Sequence, residues 1–136
     1  MSYLNYYNLD GKLFLESENN ISVNNRSFRY GDGFFETIKL IDENIQLKEL
    51  HFERIATSLA TLGFKTNKHS SFDNLEKEII ELATKNNHNK LGRIRITFFR
   101  ADAGLYEVTN FHPHILIQSF ELNETVNKLN EKWFSD

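Results

Sequence analysis

A glycine-punctuated turn that runs into a strand, followed at short range by an amphipathic helix, constrains this chain more than any other feature. Residues 24–40 read NNRSFRYGDGFFETIKL and residues 51–59 read HFERIATSL. Phe52, Ile55, Ala56, Leu59 and Leu62 recur at helical spacing, which predicts a helix over 48–62. Gly63 ends it as a C′ glycine does. Leu75, Ile79, Leu82 and Ala83 repeat the pattern in a second helix, with Ser70 or Ser71 as its cap. Strand signals flank the helices. Residues 3–9 and 12–16 form a hairpin about Asp10-Gly11, since Asp-Gly suits the positive-φ positions of a tight turn. Residues 34–41 form a strand, 42–44 a turn, and 45–47 its returning partner. From 93 to 100 the chain alternates: Ile94, Ile96 and Phe98 on one face, Arg93, Arg95, Thr97 and Phe99 on the other. A loop at 101–112 leads to a further β-rich run at 114–120, and 122–134 reads as a short helix or tail. Strands, two helices and strands again fit hairpin pairing better than repeated βαβ units, so the expected class is α+β, a mainly antiparallel sheet packed with two helices.

Composition narrows the function classes. At 136 residues the chain holds one domain. Its 40% hydrophobic and 26% charged residues are ordinary for a globular fold. No long apolar run or leader pattern is present, so neither a membrane partner nor export is expected. The lack of cysteine removes disulfides and thiolate chemistry and agrees with the cytoplasm. A net charge of -3 argues against nucleic acid as a partner.

Three groups of residues carry possible chemistry. His51, Arg54 and Ser58 share one side of the first helix, at i, i+3 and i+7. A guanidinium flanked by hydrogen-bonding neighbours suits a phosphate, although the spacing equally fits a solvated helix face. Gly31-Asp32-Gly33 is a tight turn with unusual φ, and no helix opens after it as a P-loop would require. Arg93, Arg95 and Arg100 stand in or at the end of an apolar strand, where either a carboxylate ligand or cross-strand ion pairs would explain them. Arg95 and Arg100 differ in parity, so a regular strand sends them to opposite faces. His112 and His114 also fall on opposite faces, which is poor geometry for a metal, and none is expected.

The G-D-G-x-x-E strand followed by H-x-x-R resembles the first domain of the class IV (fold type IV) pyridoxal-phosphate aminotransferases. The resemblance covers about residues 3–120. It implies pyridoxal 5'-phosphate as cofactor, with Arg54 on its phosphate. It implies substrate contacts at Tyr30 (as in branched-chain aminotransferases), Phe35 (a tyrosine in D-amino-acid aminotransferases, here without the hydroxyl), Arg95 (branched-chain enzymes) and Arg100 (D-amino-acid aminotransferases and aminodeoxychorismate lyases). Lys39 is a further residue able to face that pocket or solvent. The loop 101–110 is the segment that reaches a neighbouring subunit in family members.

The lysine that anchors the cofactor covalently lies in a second domain of the family, and Lys128 and Lys132 lack its context. The expected organisation is therefore a small N-terminal domain at 1–121, the start of an interdomain linker or tail at 122–136, and an absent C-terminal catalytic domain. Alone, such a chain is expected to be inactive and unable to retain the cofactor. Its cut surface is expected to self-associate, and the full-length form to be a homodimer. The implied reaction interconverts an amino acid and a 2-keto acid. The alternatives are an aminodeoxychorismate lyase, which forms 4-aminobenzoate, and a non-catalytic anion-binding or dimerisation module.

Overall fold

The computed structural model describes residues 5–18, 33–100 and 112–122. The strands are β1 (Tyr6–Leu9), β2 (Lys12–Leu15), β3 (Gly33–Ile41), β4 (Asn44–Ile45), β5 (Leu91–Phe99) and β6 (His114–Glu121). Between β4 and β5 come α1 (Lys48–Thr61) and α2 (Phe72–Lys85). The sheet runs β2-β1-β6-β5-β3-β4 with every pairing antiparallel, so the fold is the expected α+β.

Local chemistry explains the turns and helix ends. Asp10 (φ 53) and Gly11 (φ 89) make the tight β1–β2 turn. Asp42 (φ 49) and Glu43 (φ 64) make a second two-residue turn. The β3–β4 hairpin is therefore tighter than the sequence suggests, and β4 stops at Ile45 rather than reaching Leu47. Leu47 instead adopts the left-handed conformation (φ 54, ψ 42) that swings the chain into α1. The C-terminus of α1 is closed by a double backbone bond, Phe64 N–H to Leu59 O at 2.9 Å and Gly63 N–H to Ala60 O at 3.1 Å, with Gly63 at φ 76. Ser71 caps α2, its hydroxyl accepting from Asn74 N–H. A short 3-10 turn, Lys68–Ser70, precedes it, held by reciprocal bonds between Asn67 and Ser70.

The register sorts side chains onto two faces. Phe34, Glu36, Ile38 and Leu40 of β3 lie beside Phe98, Ile96, Ile94 and Gly92 of β5. This face packs under the helices through Phe52, Ile55 and Leu59 of α1 and Leu75, Ile79, Leu82 and Ala83 of α2. Each fully buried aliphatic side chain here contributes roughly 1.5–3 kcal/mol. Gly92 is required by close approach, since a Cβ there would lie 2.3 Å from the His88 carbonyl oxygen. The C-terminus of α2 is tied to two strands by Asn86. Its Oδ1 accepts from Tyr6 N–H at 2.7 Å, and its Nδ2 donates to Tyr6 O and to Ser119 Oγ.

Two histidines give the fold opposing pH responses. Burial pushes the pKa of His88, which bonds Ser119 Oγ through Nδ1, below its ordinary 6.5. The fold prefers neutral His88, so its contribution is complete above pH 6.5 and is lost as pH falls through the lowered value. His114 is raised instead, by its bond to Asp10 Oδ2 at 2.8 Å. Its contribution is complete below pH 6.5 and is lost as pH rises through the raised value. Denaturant midpoints should therefore respond in opposite ways: His88→Gln destabilises more at about pH 8 than at about pH 5, and His114→Gln more at about pH 5 than at about pH 8.

Candidate functional site

The site is built around β3, the strand that follows the glycine turn. β4 covers β3 only at Leu40 and Ile41, so among the described residues Gly33–Ile38 have no strand on that side. Gly33 permits the close start of the β3–β5 ladder: a Cβ there would meet the Phe98 carbonyl oxygen at 2.6 Å. Close approach is thus reason enough for glycine at this position. Gly31, Asp32 and Tyr30 lie outside the described residues, as do Lys128, Lys132 and the loop at 101–110.

On the helix side, Glu36 occupies a core-facing position of β3 with 7% of its side chain exposed. It is the E of the G-D-G-x-x-E pattern, to which the sequence reading gave no role of its own. Its parity with Ile38 and Leu40, both fully buried, is the signal that could have found it. An ionised carboxylate there needs cationic partners. Two nitrogen-bearing side chains approach it from successive turns of α1, one of them the Arg54 cation. His51 Nδ1 donates to Glu36 Oε2 at 2.5 Å, which places the second ring nitrogen away from the carboxylate. Arg54 Nε lies 3.5 Å from the same oxygen. The Arg54 side chain is 63% exposed, and its terminal Nη pair makes no bond among the described residues. Ser58, on the next turn, takes no part in these bonds.

On the opposite face of the sheet lies a cleft of about 260 Å³ lined by Phe35, Thr37, Arg93, Arg95 and Phe120. The Arg95 guanidinium rests 4.2 Å above the Phe35 ring, and Arg93 lies 5.2 Å above Phe120. Neither arginine meets a carboxylate among the described residues. Lys39 stands opposite Arg93 in the β3–β5 register, on this same face. Arg100 is not in this cleft. Its Nη2 donates to the Leu62 carbonyl at 2.7 Å, at the end of α1, and its guanidinium stacks 4.3 Å from Phe64. There it answers an orphan helix-terminal carbonyl with positive charge. The structure thus brings Phe35 and Arg95 together and sets Arg54 and Arg100 on the other side of the sheet.

The two histidines singled out in the sequence are engaged separately, His112 with the Lys65 carbonyl and His114 with Asp10. Among the described residues no group of three His, Asp or Glu side chains converges as a metal site. A larger hollow of about 490 Å³ sits between α1 and the start of α2, bounded by residues such as Leu59, Phe64, Ser70 and Phe72. Its walls carry no charged side chain, so it is unsuited to an anion.

The donors present fit the phosphate end of a cofactor. Arg54 offers an exposed guanidinium fork, His51 lies beside it, and the part of the β3 edge that no strand covers among the described residues leads from them toward the arginine-bearing face.

Comparison with known proteins bears on the family and the fold. The family model described as amino-transferase class IV matches residues 33–134. The branched-chain amino acid aminotransferase of Escherichia coli has the same fold over 88% of this chain and 41% of its own, with TM-score 0.70 and 21% identity. That of Thermoproteus uzoniensis, solved with norvaline, gives TM-score 0.67 and 23% identity over 88% and 41%. A branched-chain enzyme designated T.th., solved with pyridoxamine 5'-phosphate, gives TM-score 0.69 and 19% identity over 90% and 41%. No curated protein matches the chain. The chain spans about two-fifths of the length of these solved relatives. On the match over residues 33–134, the chain belongs to the class IV aminotransferase family.

Proposed function

We propose that this chain is the half of a pyridoxal-phosphate-dependent aminotransferase that grips the cofactor phosphate and the substrate carboxylate. The observation that carries the reading is Arg54, a guanidinium whose Nε lies 3.5 Å from a buried carboxylate on a side chain that is 63% exposed. A planar fork of that kind matches phosphate oxygens bidentately. His51, held through Nδ1, presents its other nitrogen to the same ligand. Support for the cofactor itself comes from the family match and from the T.th. relative with its pyridoxamine 5'-phosphate.

The substrate is an amino acid and its 2-keto acid. Arg95 takes the carboxylate, helped by Arg93 in the same cleft, and Phe35 supplies an apolar wall. Tyr30, on the turn ahead of β3, completes the pocket by resemblance. Both arginines lean on aromatic rings, which holds the guanidinium planes while leaving their edges for a ligand. The printed names of the solved relatives favour the branched-chain branch of the family. The aminodeoxychorismate lyase alternative leans on Arg100, which bonds Leu62 O and stacks on Phe64 at the end of α1. When bound, the cofactor supplies the electron sink for chemistry at the substrate α-carbon. This chain's own residues bind and orient: Arg54 fixes the anionic end of the cofactor, and the cleft fixes the carboxylate of the amino acid. We read residues 1–121 as the N-terminal domain and 122–136 as the start of the linker. The covalent lysine belongs to a C-terminal domain that packs against this one in a cytoplasmic homodimer.

Two substitutions in the natural full-length polypeptide test the assignment. Arg54→Ala removes a pair of charge-assisted bonds and should weaken pyridoxal phosphate retention about a hundredfold or more, measured by equilibrium dialysis. Unchanged retention would put the phosphate elsewhere. Arg95→Gln should raise KM for the keto acid on the order of tenfold, with a smaller change in cofactor affinity. An unchanged KM would remove Arg95 from the site.

A further inference from the structure

Glu36 is a charged side chain in a position that the sheet pattern reserves for apolar ones. Ile96 stands opposite it on β5, fully buried, and Ile38 follows it on the same face of β3. A single oxygen of this carboxylate serves two side chains of α1, His51 at 2.5 Å and Arg54 at 3.5 Å. The contact with Arg54 is made at Nε, the nitrogen nearest the stem. That choice leaves the terminal Nη1–Nη2 edge for a ligand. Without an anchor, a side chain 63% exposed on a flexible stem would lose much of its freedom each time it closed on a ligand.

We propose that Glu36 is the positioning residue of the phosphate site. Its buried carboxylate presets the Arg54 guanidinium so that the terminal edge meets the phosphate already oriented. The inference rests on the reading of Arg54 as the phosphate contact. It makes a counterintuitive demand, because Glu36 is itself negative and repels the incoming anion. If charge alone governed the site, neutralising Glu36 would tighten phosphate binding. Water around the exposed guanidinium screens the repulsion, whereas preorganisation acts undiminished, so neutralisation should weaken it.

The experiment uses the natural full-length polypeptide and two probes, pyridoxal 5'-phosphate and pyridoxal, which lacks the phosphate. Glu36→Gln keeps the shape and removes the charge. It should raise the Kd for pyridoxal phosphate on the order of tenfold while leaving the Kd for pyridoxal unchanged. The phosphorus-31 resonance of the bound cofactor should shift in the same variant. Glu36→Asp keeps the charge but withdraws it by one methylene, and should weaken pyridoxal phosphate binding in the same direction by a smaller factor. Should Glu36→Gln fail to fold, Glu36→Asp decides by the same comparison of the two probes. Unchanged or tighter pyridoxal phosphate binding overturns the proposal, as does an equal loss for both probes, which would mark a purely structural role. Arg54→Ala separates the two layers of the reading. If it weakens pyridoxal phosphate selectively while Glu36→Gln does not, the phosphate assignment stands and the role of Glu36 falls. If Arg54→Ala leaves pyridoxal phosphate binding unchanged, both fall.

Discussion

A carboxylate buried between a sheet and a helix dictates the arrangement of this domain. Removing an ion from water costs several kcal/mol unless partners meet it, and breaking such a pair leaves an uncompensated charge. Glu36 meets that condition only if α1 lays His51 and Arg54 across the β3 strand. The electrostatic demand therefore fixes the rotation of α1 about its own axis. The apolar residues Phe52, Ile55 and Leu59 obey the same rotation, since they enter the core when His51 and Arg54 face the strand. Hydrophobic packing and charge pairing thus select one placement of the helix, and agreement of this kind is what specifies a single structure.

The sheet then separates two groups of exposed or ring-stacked arginines. One lies on the helix side, where Arg54 stands at the rim of the layer. The other lies on the opposite face, where Arg93 and Arg95 rest on Phe120 and Phe35. Between them runs the edge of β3, which among the described residues β4 covers only at Leu40 and Ile41. Under the proposed function, a ligand with a phosphate at one end and a carboxylate-bearing partner at the other would reach both sides across that edge. Gly33 belongs to the same design, since only the absence of a side chain lets β3 approach β5 so closely at the end nearest the site.

Much of this was legible in the residues. Period-3.6 spacing marked both helices, Gly63 marked the end of the first, and the alternation from Arg93 to Phe99 marked a half-covered strand. Those signals are local, and local signals survive without tertiary context. The losses came where a distant contact decided the outcome. Leu47 looks like a strand residue, yet it takes a left-handed conformation because β4 must turn into α1 within two residues. The contact of Arg100 with the Leu62 carbonyl and the Phe64 ring, 38 and 36 residues away in the chain, has no local signal either. Glu36 was hidden for the converse reason. A lone acidic residue in a strand reads as solvent-facing until its neighbours of equal parity, Ile38 and Leu40, are counted as core. The 3-10 turn at Lys68–Ser70 arose from a reciprocal bond between Asn67 and Ser70 that spacing alone does not single out.

The central claim is that the Arg54 guanidinium holds a phosphate. A crystal structure of the natural full-length protein with pyridoxal 5'-phosphate bound addresses it most directly. The account predicts phosphate oxygens at about 3 Å from the terminal nitrogens of Arg54, with Nε still facing Glu36. A cofactor phosphate held elsewhere, with the Arg54 fork surrounded only by water, would contradict it.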